Sequence, residues 1–394
     1  MGSINCQWLM VNCQWPRFPI FQLTIIMPTI LHKLLKRPSA VISLCIIAIT
    51  CLIAVFAYLL APDNTPSANR MIIELGAKQP GFTKQLLFIP GTNNRVQKSL
   101  LGWFNGVESP YEASPINGYR FEGDKLIIRH YIDDGLEDTI GYSSSLLVPA
   151  DQLHSSVAER QAYIQKHNIV TSTFYLGTDR NGRDILSRLL VGSRVTLAVG
   201  LVAVLLSLTI GIFLGAVAGY YGGVIDNVVM WLINILYAIP TLLLVFAITL
   251  TIGKGFWEIF IAIGLSMWVG AARLIRGQVL ALREMEYIAA AKVLGLGDMR
   301  IIFRHILPNI AGPIMVIAAG NFAAAILVEA GLSFLGFGVQ PPHPSWGLMI
   351  KEHYNFLLTN RPLLALIPGF AIMLLVYAFN ILGNTLRDVL DVRE

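Results

Sequence analysis

Six apolar runs between residues 41 and 386 constrain this chain more than any other feature. A helix rises about 1.5 Å per residue, so roughly 20 apolar residues cross a hydrocarbon layer about 30 Å thick. Residues 41–60, 195–225 and 227–253 contain no Asp, Glu, Lys or Arg, and Pro240 predicts a kink in the third run. The fourth, Trp257–Ile275, keeps fourteen uncharged residues between Glu258 and Arg273, charges expected at the two membrane faces. Ile310–Leu332 and Pro362–Leu386 complete the set. Only 13% of the residues are charged, against about a quarter in soluble proteins, so most of the chain is expected in a bilayer. The net charge of +5 then reflects loops at the membrane rather than a nucleic-acid surface.

Orientation follows from Lys and Arg in short loops. With a cytosolic N-terminus, inside segments 1–40, 220–227, 276–308 and 387–394 hold eleven of these residues, and the short outer loops hold three, Lys254, Lys351 and Arg361. Both termini are therefore expected in the cytosol. Arg180, Arg183, Arg188 and Arg194 crowd the outer end of the second run, and residues 184–190 are expected to form a short amphipathic helix on the membrane surface. Before the first run, Asn-Cys-Gln-Trp occurs at 5–8 and 12–15, and an apolar stretch from Phe18 to Leu31 is interrupted by Pro19 and Pro28. No basic stretch precedes it and no small-residue cleavage site follows, leaving translation from Met1 or from Met27 as the open readings.

Residues 61–190 carry 13 basic and 14 acidic side chains, a soluble composition inserted between the first two runs. Tyr119–Phe121 and Lys125–Tyr131 predict a hairpin turning at Glu122-Gly123-Asp124, and Pro149–Asn168 predicts a helix, together a small α+β domain. Its cysteine-free sequence holds no disulfide framework, since the cysteines are Cys6, Cys13, Cys45 and Cys51. His130, His154 and His167 lack metal-ligand spacing, and Ser143, Ser144 and Ser145 sit in no nucleophile elbow, so neither a metal nor catalysis is expected there.

Within the membrane runs, Gly211, Gly215 and Gly219 form a small-residue stripe that predicts close helix packing. Glu329, the only acid in the fifth run, lies near its outer end and is expected at a pathway mouth or as a helix-end hydrogen-bond partner. Residues 276–308 are too long for a plain connection. Glu284–Leu294 reads as a helix stopped by Gly295 and Gly297, and Asp298 as the cap of a second helix, Met299–Leu307, closed by Pro308. Ala289, Ala290 and Ala291 give the first helix a smooth surface suited to the groove of a soluble partner.

The run Glu286-Tyr287-Ile288-Ala289-Ala290-Ala291-Lys292-Val293-Leu294-Gly295, followed by Arg304-His305-Ile306-Leu307-Pro308-Asn309, resembles the EAA loop of ABC importer permeases of the dipeptide/oligopeptide/nickel branch. Leu176-Gly177-Thr178-Asp179 with Gly182-Arg183-Asp184, Ala218-Gly219-Tyr220-Tyr221-Gly222-Gly223, and Leu332-Ser333-Phe334-Leu335-Gly336 with Pro344-Ser345-Trp346-Gly347 agree in order, so the likeness covers about 31–60 and 176–390. It implies the type I importer permease fold, with six transmembrane helices and an all-α core. The implied parts are an N-terminal segment 1–40, a first helix 41–60, an outer domain 61–190, a transmembrane domain 191–388 and a tail 389–394. It also implies a second homologous permease, two ATPases docked on 276–308 and an extracytoplasmic binding protein at a bacterial inner membrane. The ATPase-coupling residues would be Glu286, Tyr287, Ala289, Ala290, Ala291, Gly295, Asp298, His305, Leu307 and Pro308.

Three departures stand out. Ala289 replaces the motif's glutamate, Trp231 and Asn234 stand where relatives often carry an Arg and Asp pair, and 61–175 falls outside the likeness. The chain has no Gly-x-x-x-x-Gly-Lys-[Ser/Thr] loop, so ATP and its magnesium are expected on partner subunits, with no cofactor here. Two rivals are an ion-coupled secondary transporter, which would want internal repeats and paired intramembrane charges, and a membrane-anchored sensor using 61–175 as its ligand domain.

Overall fold

The computed structural model describes residues 32–91, 102–149, 152–253, 255–358 and 361–390. The Asn-Cys-Gln-Trp repeats, Cys6, Cys13, Met27 and the last four residues lie outside that set. Helix α1 (Pro38–Val55) starts on a proline, whose fixed φ suits a first turn, and a short helical turn, Ala57–Leu60, follows it.

Five antiparallel strands come next: β1 (Phe82–Pro90), β2 (Tyr111–Glu122), β3 (Lys125–Asp133), β4 (Leu136–Ser143) and β5 (Ile169–Phe174), in the order β4-β3-β2-β1-β5. The hairpin read from the sequence is β2–β3, closed by Glu122 opposite Lys125, and Gly123 takes the φ of +58° that a tight turn asks of glycine. Alternation along β1 drives Leu87 into one core with Ile116, Leu126, Ile128 and Ile164, and Leu86 into another with Ile72, Leu75, Tyr131 and Phe174. The sheet is thus covered on both faces. Helix α2 (Val157–His167) supplies Ile164 and is shorter than the Pro149–Asn168 expected, because Ser156 and Glu159 form a capping box that sets its start.

The long helices follow. Helix α3 (Ile185–Tyr221) runs 37 residues without a break. This corrects the expected surface helix over 184–190. Those residues are the first turns of α3, capped by Asp184 and buried at Ile185, Ser187 and Arg188, whose charge finds partners inside the protein. Helices α4 (Gly223–Tyr237) and α5 (Thr241–Ile252) come from the third apolar run and meet at 95°, with Pro240 as the residue that starts α5. Helix α6 (Phe256–Arg283) crosses the fourth run, and α7 (Glu286–Val293) belongs to the loop after it. Helix α8 (Ala311–Leu335) stops at Gly336, whose φ of +89° closes a left-handed cap. Helices α9 (Trp346–His353) and α10 (Leu363–Leu390) end the described chain.

Among the described residues five helical stretches are long and apolar enough to cross a membrane, and the bent α4–α5 pair makes up to six if it counts as one crossing. Helices α3 and α6 form the centre of the bundle, α8 packs on α10 and α3, and α1 leans on α10. Trp346 fills the gap between α9 and α3, donating its indole N–H to the Leu189 carbonyl at 2.9 Å.

Candidate functional site

The loop after α6 folds back on the end of α3. Ile288 and Ala291 of α7 are buried with Ile301, Ile302 and Ile306 against Ala216, Tyr220, Ile275 and Val279. The three alanines are therefore divided: Ala291 faces this core, while Ala289 and Ala290 remain exposed. Glu286 and Tyr287 are exposed beside them, and Val293 and Leu294 are 89% and 79% exposed, an apolar knuckle open to solvent. Gly295 turns the chain with φ +74°.

Asp298 does not cap a Met299–Leu307 helix. A short helical turn, Asp298–Ile301, passes into a π-turn at Ile302–Ile306 and a 3₁₀ turn at Leu307–Ile310, and the Asp298 carboxylate instead accepts the Tyr220 hydroxyl at 2.8 Å. Lys292 lies 5.1 Å from the Tyr220 ring, and Arg283 donates to the carbonyls of Gly219 and Tyr220, which end α3 without helical partners of their own. His305, Leu307 and Pro308 are half-buried, with the His305 carbonyl accepting from Asn309 at 2.6 Å. Tyr220 thus ties the loop to the bundle. A hydrogen bond to a charged acceptor contributes about 1.5–3 kcal/mol, so Tyr220→Phe is expected to raise trypsin cleavage at Arg300 at least tenfold while the bundle stays folded; unchanged cleavage would mean the tie is idle.

The glycine stripe belongs to α3 and packs against α6. A Cβ at Gly211 would sit 2.6 Å from Ala271 Cβ, at Gly215 2.5 Å from the Ala272 carbonyl oxygen, and at Gly219 2.8 Å from the Arg276 carbonyl oxygen. Glu329 is fully buried and accepts the Ser333 hydroxyl at 2.6 Å, one turn along α8, with Ser345 as a further partner. In this structure its carboxylate has no exposed surface. Asn234 accepts from Arg273 at 2.8 Å, Trp231 is exposed, and Arg276 forms a two-pronged ion pair with Asp226.

A charged knot, which residue spacing alone did not reveal, sits where β5 leads into α3. Asp179 Oδ2 accepts from Arg183 Nε and Arg188 Nη1, both at 2.6 Å, and Glu352 Oε2 accepts from Arg183 at 3.1 Å and Arg188 at 2.7 Å. Asp179 and Arg188 are 0% and 1% exposed. Burial by itself would raise the Asp179 carboxyl, yet the guanidiniums of Arg188 and Arg183 hold it below the ordinary carboxylate range. His353, buried in the same knot, is pushed below the ordinary imidazole value by burial and gives its Nδ1 to the Met349 carbonyl at 2.7 Å. Asp179, Glu352 and His353 bring potential metal-ligating atoms within 4.8 Å of one another. Two arginines already neutralise the two carboxylates, so the chemistry of the set is that of a structural ion-pair network. The knot joins the Gly177–Asp184 motif to the helix that follows the Pro344–Gly347 motif.

Helices of this length and polarity, wound around a glycine-packed centre and ending in a tethered polar-side loop, define a polytopic helical membrane protein. The family described as binding-protein-dependent transport system inner membrane component matches residues 211–394, and that described as the N-terminal TM domain of oligopeptide transport permease C matches 29–78. A dipeptide transport system permease protein of Bacillus subtilis is 41% identical over 60% of this chain and 74% of its own length. A glutathione transport system permease protein of Pectobacterium atrosepticum is 42% identical over 56% and 73%. An oligopeptide transport system permease protein of Haemophilus influenzae is 39% identical over 56% and 70%. Among solved structures, the inward-facing methionine ABC transporter MetNI is similar over 51% of this chain and 96% of that one, at 21% identity and a TM-score of 0.42. The chain belongs to the family of binding-protein-dependent transport system inner membrane components. It is a membrane permease, a transport subunit rather than an ATPase.

Proposed function

We propose that the chain is one permease of an ATP-driven type I ABC importer that passes peptides or similar small solutes, handed over by an extracytoplasmic binding protein, across the bacterial inner membrane. The observation that carries this reading is the exposed knuckle of Ala289, Ala290, Val293 and Leu294, fastened through Tyr220 and Arg283 to the end of the longest helix of the bundle. A soluble partner gripping the knuckle would move α3, and through the glycine contacts α6, as one body. The relatives named for dipeptide, oligopeptide and glutathione transport support peptides as the solute class.

In this reading α4 and α5 together make one crossing, giving six, and both termini are cytosolic. The sheet between α1 and α3 is an extracytoplasmic domain, 276–308 docks an ATPase, and a second permease completes the pathway. Two ATPases bind the ATP and magnesium, leaving this chain without a cofactor. Glu329 lies near the outer end of the pathway, and the ten loop residues from Glu286 to Pro308 couple it to the motor. Val293 and Leu294, which stand in the same run but are not among those ten residues, belong to the same docking surface.

Ala290→Arg places a long cation on the exposed face without touching the buried one. The complete transporter carrying it, reconstituted in proteoliposomes, is expected to bind its ATPases at least tenfold more weakly and to lose ATP-dependent peptide uptake, with the two permeases still paired. Full uptake by the variant would place the docking surface elsewhere.

A further inference from the structure

The sheet has two edge strands that differ in kind. β4 carries Glu137 and Asp138, charges that discourage strand pairing, whereas β5, Ile-Val-Thr-Ser-Thr-Phe, carries no charge and no proline. Its outer edge is also hydrogen-bonding in a defined pattern. The Phe88 N–H bonds the Asn168 carbonyl, in line with the register of Leu87 opposite Ile169. Antiparallel alternation then commits the even-numbered residues of β5 to β1 and turns the N–H and C=O of Thr171 and Thr173 away from it.

Residues 171–175 line a cavity of about 370 Å³, closed on its other sides by Asp63, Arg70, Ile72 and Asp184. Charges of both signs thus face one groove. Asp184 is 95% buried (5% exposed) and its Oδ1 has no hydrogen-bond partner; Arg70 Nε likewise has none. Asp63 pairs with Arg70 at 3.6 Å and holds the Arg70 backbone N–H at 3.0 Å, which fixes the guanidinium at the groove.

We propose that this groove is a binding site for a short peptide in extended form, which adds to β5 as a sixth strand. The main chain would pair with Thr171 and Thr173, the N-terminal ammonium would be drawn to the unpartnered oxygen of Asp184, and the C-terminal carboxylate to Arg70. Strand addition reads the backbone and not the side chains, so the site suits a cargo of varied sequence. At roughly 3.3 Å per residue, three residues match the stretch from Thr171 to Thr173. The proposal rests on the peptide-importer reading and places a staging site beside the first turn of α3.

The test is calorimetric titration of trialanine into the full chain in lipid nanodiscs. Wild type is expected to bind trialanine, and to bind N-acetyl-trialanine at least tenfold more weakly. Thr171→Pro, which removes an outward N–H from an edge strand that tolerates proline, is expected to weaken trialanine binding at least tenfold, while Thr171→Val retains it. Trialanine that fails to bind wild type, or that binds Thr171→Pro unchanged, overturns the site. If Thr171→Pro instead weakens only the binding protein's docking, the groove belongs to that partner and the peptide site is likewise overturned. Uptake by the complete transporter separates the two levels of the argument. Peptide uptake unaffected by Thr171→Pro sinks the groove alone, whereas a wild-type transporter that imports no peptide sinks the importer reading.

Discussion

Arg188→Met is expected to lower the stability of the purified permease by about 3 kcal/mol, because it leaves Arg183 as the one cation for two carboxylates, of which Asp179 is fully buried. Arg188 is the hub of the knot, since one of its nitrogens reaches both Asp179 and Glu352, and it is 1% exposed. The same network fixes a pH dependence. Asp179 has a folded value held below its ordinary one, so its contribution is fully present above the ordinary carboxylate range and is lost as pH falls through the depressed value. His353 acts in the same direction from higher up. Its folded value is depressed by burial, so the unfolded chain binds more protons and stability declines once pH drops below about 6.5. The groups facing His353 are Asp179, Glu352, Arg188 and the Met349 carbonyl. Thermal unfolding followed by tryptophan fluorescence in detergent should show wild type losing stability in two stages on acidification. His353→Leu should remove the upper stage and leave the lower. A flat profile from about pH 7 to about pH 2 would remove the knot from the stability of the fold.

The membrane part of this fold was legible because lipid imposes one rule on every residue of a crossing segment. An uncharged run of the right length has few alternatives: five of the six runs lie in helices long enough to cross, and the third forms a pair of helices bent at 95°. The boundaries were less legible where a charge found its partner far away. Arg183 and Arg188 looked like surface charges because their partner Glu352 is 169 and 164 residues distant, and the sequence reading put them on a membrane face instead of inside. The β2–β3 hairpin was readable from its turn, since Gly123 sits between partners a few residues apart. Strands β1 and β5 were not. They pair with each other across more than eighty residues, and neither alternates cleanly, because the sheet is covered on both faces and Leu86 and Leu87 are both buried. In the loop, spacing showed where a helix begins and ends but not which face it buries. Asp298 read as a helix cap until Tyr220, 78 residues earlier, provided it with a hydroxyl donor.

The glycine stripe sets the second large effect. Gly215 is the middle of three glycines whose missing side chains let the backbones of α3 and α6 meet, and a Cβ there would lie 2.5 Å from the Ala272 carbonyl oxygen and 3.1 Å from Ala272 Cα. Both neighbours are backbone atoms of a helix that is itself buried at Ala271, Ala272 and Ile275, so neither yields as the end of a flexible side chain would. Gly215→Leu must therefore separate the two helices that make the most extensive contact in the protein. Overpacking of a core typically costs about 1–3 kcal/mol where side chains adjust, and a clash with backbone belongs at or above the upper end. The variant is expected to insert into the membrane but not to reach a folded, monodisperse state in detergent. Gly270→Leu is the control, because a Cβ at Gly270 meets nothing within 4 Å and the change adds similar apolar bulk to α6. Size-exclusion profiles of the two should differ sharply, and equal profiles would show that the stripe does not set the approach of the helices. The same contact bears on function. If α3 is the lever moved from the loop, close backbone contact at Gly211, Gly215 and Gly219 is what obliges α6 to follow, since smooth surfaces held without intervening side chains have few ways to slip. Gly219→Ala, with its Cβ 2.8 Å from the Arg276 carbonyl oxygen, lies nearest the loop and should impair transport more than it impairs folding.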